Sequence, residues 1–137
     1  MTYIKNAAKT DVPLLARMNK GLIDDEKSEN EMTLRELEER MHDFVDGPYQ
    51  AFLILDENRV AGYMLVRTDT TPVYLRQFYI ERHFRRRGIG TAAFSRLRSV
   101  LAADIIDVDV LTNNACGKAF WKSLGFLPIS IQMRFSE

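Results

Sequence analysis

The 137-residue sequence predicts one α/β domain, an α+β mixed sheet with helices on its faces, and three observations carry that expectation. The length falls in the range of about 100–200 residues for a single domain, so residues 1–137 are taken as one unit. Hydrophobic residues make up 46% and charged residues 28%, which excludes disordered, collagen-like and low-complexity chains. Segments of strand period alternate along the chain with segments of helical period. The longest apolar run, Ala51 to Leu55, is far short of the roughly 20 residues that cross a bilayer. Cys116 is the only cysteine, so neither an intrachain disulfide nor a cysteine-based metal site is expected. The N-terminus lacks a basic stretch followed by an apolar core, and a cytoplasmic location is the expectation.

Taken in order, a short strand is expected near Tyr3–Asn6. A helix follows, capped near Thr10 and Asp11 with Pro13 in its first turn. Thr33 and Glu36 have the spacing of a capping box, and Leu34, Leu37, Met41 and Phe44 give the helix behind them one apolar face. Gly47-Pro48 stops it. Strands are expected at Gln50–Leu55 and Val60–Thr68, joined by a hairpin turn at Asp56-Glu57-Asn58, and a third at Val73–Ile80. A helix from about Gly90 to Leu101 would bury Ala92, Ala93, Phe94, Leu97 and Leu101. A strand at Ile105–Leu111, a helix at Ala115–Leu124 ended by Gly125, and a last strand at Ile129–Phe135 complete the order β-α-α-β-β-β-α-β-α-β.

Nineteen basic residues balance nineteen acidic ones, which argues against a nucleic-acid binder. The charges are unevenly placed. Residues 24–46 hold ten acids against Lys27, Arg35 and Arg40, while residues 82–98 hold six arginines and no acid. Solvated helix faces account for such runs as readily as binding surfaces do.

The segment Arg85-Arg86-Arg87-Gly88-Ile89-Gly90-Thr91, between a strand and a helix, has the chemistry of a phosphate cradle. Glycines admit a ligand to the backbone, helix N-terminal N–H groups suit an anion, and guanidinium groups add charge-assisted contacts. Gly88-x-Gly90-x-x-Ala93 also fits the relaxed dinucleotide fingerprint, with Asp107 and Asp109 about 20 residues onward. Two features weigh against it: Glu81 to Arg87 separate the strand from the first glycine, and only 44 residues follow Ala93. A Walker loop is excluded because no Gly-Lys-Ser/Thr occurs.

These residues resemble a known family. Arg85-x-x-Gly88-x-Gly90 is similar to the Gln/Arg-x-x-Gly-x-Gly/Ala motif of the GCN5-related N-acetyltransferases, the GNAT superfamily. Asn114-x-x-Gly117-x-x-Phe120-Trp121-x-x-x-Gly125-Phe126 resembles a second family segment, and Val73–Ile80 resembles the family's fourth strand. The resemblance implies the GNAT acyl-CoA N-acyltransferase fold and acetyl-CoA as co-substrate. It places the pyrophosphate on Arg85, Arg86, Arg87, Gly88, Ile89, Gly90 and Thr91, and the pantetheine arm on Tyr79, Ile80 and Glu81, with Asn114 contacting the arm. As an N-cap, Asn114 has an equally good local role.

The implied reaction is direct attack of a primary amine on the thioester. Asp109 matches the position where relatives carry a basic carboxylate, and Asp107 would share its strand face by the period of two; Glu81 is a further candidate. Trp121 replaces the tyrosine that commonly protonates the departing thiolate. Its indole donates a hydrogen bond but does not surrender a proton near neutral pH, so it either steadies the sulfur or packs. Arg76 and Gln77 fall where the histone-modifying branch has a glutamate. Cys116, His42 and His83 have no catalytic partner in the sequence.

The acid-rich Gly21–Glu31 segment, where the fold roofs its acceptor site, suggests a cationic acceptor: a small molecule or a peptide amine. The partners expected are that amine and a second copy of the chain in a homodimer, with no nucleic acid and no membrane. A non-catalytic acyl-CoA-binding regulatory module is the alternative, and a dinucleotide oxidoreductase a third.

Overall fold

The computed structural model describes all residues 1–137. Four strands, β1 (Thr2–Asn6), β2 (Tyr49–Asp56), β3 (Arg59–Arg67) and β4 (Val73–Ile80), form an antiparallel meander in the order of the chain. A two-residue strand, β5 (Ile106–Asp107), joins β4 in parallel. Helices α1 (Val12–Glu26) and α2 (Leu34–Asp46) lie on one face, and α3 (Ile89–Leu101) lies on the other, with α4 (Ala115–Ser123) packed at its edge.

Local chemistry accounts for most boundaries. Thr33 Oγ1 accepts from the Glu36 N–H (3.2 Å) while the Glu36 carboxylate accepts from the Thr33 N–H (2.9 Å), the reciprocal capping box that starts α2. The β2–β3 turn puts Glu57 and Asn58 at φ 49° and 64°, the pair of left-handed residues that a two-residue hairpin requires. Lys27, at φ 52°, ends α1 immediately after Asp25 and Glu26, so both carboxyl groups stand at a helix C-terminus.

The sheet sorts its side chains by the period of two. From β2, Phe52 and Ile54 pack with Phe94 and Leu97 of α3, while Leu53 and Leu55 pack with Leu15 and Met41 of the opposite layer. In β4 the alternation breaks. Leu65 of β3 pairs with Gln77 and Val66 with Leu75, so Arg76 is an extra residue without a partner, a β-bulge. Before it, Val73 and Leu75 pack toward α3; after it, Phe78 and Ile80 do. Tyr74, Arg76 and Gln77 consequently all serve the opposite face.

Two strand expectations need correction. The strand expected at Ile105–Leu111 shrinks to Ile106–Asp107, paired only with Val73 and Tyr74. Asp109 therefore lies beyond the strand, and the period of two does not carry from Asp107 to it. The last strand, expected at Ile129–Phe135, does not form. Leu127, Ile129, Ile131, Met133 and Phe135 keep the alternating pattern but are all strongly exposed. Alternation marks a chain suited to a sheet edge; it does not provide the edge, and β5 offers two residues of one.

Candidate active site

The bulge at Arg76 lies where β4 leaves β5. The two strands pair only through Tyr74, so from Leu75 to Ile80 one edge of β4 has no neighbour. At the end of the strand the Glu81 N–H bonds to the Ala61 carbonyl of β3 (2.7 Å). By antiparallel alternation, the backbone groups of Ile80 and Phe78 then face the open edge. Tyr79 and Glu81 direct theirs to β3. Of the three residues expected to receive a pantetheine arm, Ile80 thus offers its N–H to the gap, its carbonyl being taken by Arg85, and Phe78 joins it from outside the expected set.

Beyond the strand, a 3₁₀ turn (Arg82–Phe84) leads to the arginine-glycine segment. Arg86 (φ 62°) and Gly88 (φ 75°) both take the left-handed conformation, so the chain turns twice just before the helix. The first intrahelical bond of α3 runs from the Ala92 N–H to the Gly88 carbonyl (3.0 Å). The N–H groups of Arg86 through Thr91 make no bond within the protein, leaving six consecutive donors at the start of a helix. Gly90 is needed for closeness: a Cβ there would stand 3.2 Å from the ring of Phe120, where α4 crosses α3.

The four arginines of residues 82–87 divide their work. Arg85 is held inward: its Nε donates to the Ile80 carbonyl (2.7 Å), and its Nη2 pairs with Asp25 of α1. Arg82 pairs with the other oxygen of Asp25 (3.1 Å). Burial pushes the Asp25 carboxyl up, but the hydrogen bonds from Arg85 and Arg82 outweigh it and hold the group below its ordinary range. Arg86 and Arg87 remain exposed beside the free donors.

On the α1–α2 side of the same strand lies a cavity of about 180 Å³. Its wall includes Asn19, Glu26, Arg40, Tyr74, Arg76 and Gln77. Glu26 is half-buried and has no hydrogen-bond partner; burial, then the neighbouring Asp25, raise its carboxyl above the ordinary value. Asp109 accepts a 2.6 Å hydrogen bond from the Tyr74 hydroxyl and so reaches the cavity through that ring. Burial first, and then this bond, push the Tyr74 hydroxyl well up. Beneath the cavity the fully buried Tyr63 hydroxyl donates to Gln77 (2.8 Å), tying the residue after the bulge to β3.

Other expected residues are placed as follows. Asn114 caps α4, its Oδ1 accepting from the Gly117 N–H (2.9 Å). Trp121 lies among Phe78, Phe94, Phe120 and Phe126 at centroid distances of 4.9–6.0 Å and packs on the α3-side core. The Glu81 side chain borders the strand end rather than the cavity. Glu26 was not singled out from the sequence, where it is one acid among ten; its position as the last residue of α1 was the available signal.

Comparison with known proteins agrees with this geometry. Residues 16–126 match the model of the Acetyltransferase (GNAT) family. The structure is similar to that of a possible acetyltransferase from Clostridium difficile 630, with a TM-score of 0.80 at 17% identity, covering 100% of this chain and 97% of that one. It is similar to aminoglycoside N-acetyltransferase AAC(6')-Iy in complex with CoA, with a TM-score of 0.76 at 14% identity over 100% and 95% of the two chains. A predicted acetyltransferase with acetyl-CoA from Clostridium acetobutylicum gives 0.74 at 18% identity over 99% and 96%. Among curated proteins the sequence finds no match. With a split between β4 and β5, a row of free amides opening α3, and the family pattern over most of its length, the chain belongs to the GNAT family of acetyltransferases.

Proposed function

We propose that this chain transfers the acetyl group of acetyl-CoA to a primary amine by direct attack on the thioester. One observation carries this reading: six unengaged N–H groups, Arg86 to Thr91, adjoin the unpaired edge of β4. Such a row suits a diphosphate, and such an edge suits an extended amide-bearing arm. Arg86 and Arg87 add charge to the phosphate end, and the backbone of Phe78 and Ile80 supports the arm. Acetyl-CoA supplies an activated acyl group and a thiol leaving group.

The acceptor amine enters from the α1–α2 cavity, on the other side of the bulge. It arrives mostly as ammonium and must lose a proton before its lone pair can form the new C–N bond as the C–S bond breaks. Glu26 is the proposed proton acceptor, since a carboxyl raised above its ordinary value is a better base than one in water. Asp109 orients Tyr74. A second reading, in which Asp109 takes the proton through the Tyr74 hydroxyl, rests on the 2.6 Å bond between them. The variants Glu26→Gln and Asp109→Asn separate the two, because only loss of the base removes the ascending limb of the pH–rate profile. The CoA thiolate leaves without a side-chain acid, Trp121 serving as packing behind the arm.

The test of the whole reading is stabilisation by acetyl-CoA but not NAD, followed by release of free CoA thiol across a panel of amines. Stabilisation without thiol release favours the non-catalytic acyl-CoA-binding module. A cytoplasmic setting and a homodimer belong to the same proposal; the exposed alternating stripe from Leu127 to Phe135 is the surface on which two copies would meet. Light scattering of an Ile129→Lys/Ile131→Lys variant, expected to be monomeric, tests the pairing.

A further inference from the structure

We infer that the acceptor carries a carboxylate as well as its amine, an amino-acid-like zwitterion, with Arg40 and Arg76 holding the carboxylate and Glu26 receiving the amine. The inference rests on the reading of the cavity as the acceptor site.

Arg40 comes from α2 and Arg76 from the β4 bulge, and both line the cavity. They flank one ring: the Arg40 guanidinium lies 5.4 Å and that of Arg76 4.8 Å from the centroid of Phe44. Arg76 also lies over Tyr49 and donates to its hydroxyl (3.4 Å). Two cations are thus brought to one wall, and neither is in an ion pair.

Of the acids nearby, three are engaged elsewhere, and Glu29 and Glu31 stand exposed beside the lining residues Ser28 and Asn30 without touching either arginine. Asp25 is bound by Arg82 and Arg85, Asp24 by Lys20, and Asp109 by Tyr74. Glu26 alone is left on the cavity wall, so two guanidinium groups face one carboxyl. Arg40 is further under-satisfied. Its Nη2 donates to the buried Asn19 (3.0 Å), but its Nε is the one buried side-chain polar atom in the chain that lacks a partner. That atom is enclosed by protein, so a carboxylate in the cavity would meet Arg40 at the Nη end of its guanidinium rather than at Nε. Burial, then the charge of Arg76, lower the affinity of Arg40 for its proton, which is the strain an anion would relieve.

A planar carboxylate matches the guanidinium fork, and the aromatic faces keep both forks from turning away. The acid-rich Gly21–Glu31 segment by itself suggests a cationic acceptor. Asp25 is consumed by the arginine latch, and the two unpaired guanidinium groups on the cavity wall suit a negative group beside the ammonium.

The test is calorimetric binding of the twenty protein amino acids to the cofactor-free protein. Ethylamine, 3-(methylthio)propylamine and phenethylamine are compared with alanine, methionine and phenylalanine. At least one amino acid should bind, tenfold or more tightly than its amine or amide counterpart. Arg76→Gln and Arg40→Gln should each weaken it at least tenfold, Arg76→Lys less so, with the binding of simple amines and stabilisation by acetyl-CoA unchanged. No amino acid binding at millimolar concentration, equal affinity for carboxylated and decarboxylated forms, or equal loss of both in the arginine variants overturns the inference. If amino acids bind in this pattern while acetyl-CoA gives no stabilisation, the ligand class stands and the acetyl-transfer reading fails. Stabilisation by acetyl-CoA without a carboxylate preference has the opposite meaning.

Discussion

Replacing Gly88 by alanine tests whether the amide row is the cofactor cradle. Gly88 sits at φ 75°, and a Cβ there meets nothing within 4 Å, so the substitution introduces backbone strain and no clash. A left-handed L-residue costs about 1–2 kcal/mol. Part of that is offset by the lower entropy of the unfolded alanine chain, about 0.4–1 kcal/mol, leaving a net loss of about 1 kcal/mol. For a domain of this size that lowers Tm by about 4 °C. The effect on CoA binding should be larger. Relief of the strain swings at least one N–H out of the row, and one hydrogen bond to a charged group is worth about 1.5–3 kcal/mol, or roughly ten- to a hundredfold in Kd. Gly125→Ala is the control, since Gly125 has φ 97°, equally empty surroundings, and lies at the end of α4. Calorimetry should show both variants losing similar stability and only Gly88→Ala losing CoA affinity. Wild-type affinity in Gly88→Ala would refute the assignment of the amides to the diphosphate.

The Asp25→Asn variant should lose about 1–3 kcal/mol in urea unfolding at pH 7, because two guanidinium partners lose their anion. The Asp25 carboxyl is held low in the folded protein, so its contribution is full above the ordinary carboxylate value and disappears as pH falls through the lowered one. Wild type and variant should therefore converge as pH falls below the ordinary carboxylate range. Glu26 has the opposite sign: raised in the fold, it favours stability at acid pH and loses that contribution as pH rises. Glu26→Gln should accordingly raise Tm at pH 7 while lowering kcat, a pairing that a purely structural residue would not produce. Trp121→Phe should cost about 1–3 kcal/mol in stability and leave kcat within about threefold, since the indole is enclosed by four rings; a hundredfold fall in kcat would restore its contact with sulfur.

Local rules located most of the elements. The Thr33–Glu36 cap, the Asp56–Asn58 turn and the bounds of β4 follow from short-range chemistry that the sequence displays directly. Long-range pairings were out of reach: nothing in the spacing of Asp25 and Arg85, sixty residues apart, says that they meet. The bulge was hidden for another reason. Tyr74 to Ile80 reads as regular alternation, and only the pairing register with β3 shows that Arg76 is supernumerary. The C-terminal stripe was misjudged because amphipathic period reports what a segment could pair with, not whether a partner is present. The phosphate segment was legible because its chemistry is carried by contiguous residues. The cavity was not, because it draws on α1, α2 and β4.

That one surplus residue in β4 gives the molecule a fixed alignment gauge. The bulge lies where β4 parts from β5 and adds Arg76 to Tyr74 and Gln77 on the cavity face, so the open edge and the cavity share one short stretch of strand. Under the proposed reading, changes in α1 and α2 would alter the acceptor side of the cavity while β4 keeps its open edge in place. Deleting residue 76 would restore simple alternation, leaving Tyr74 and Gln77 on the cavity face without the guanidinium between them.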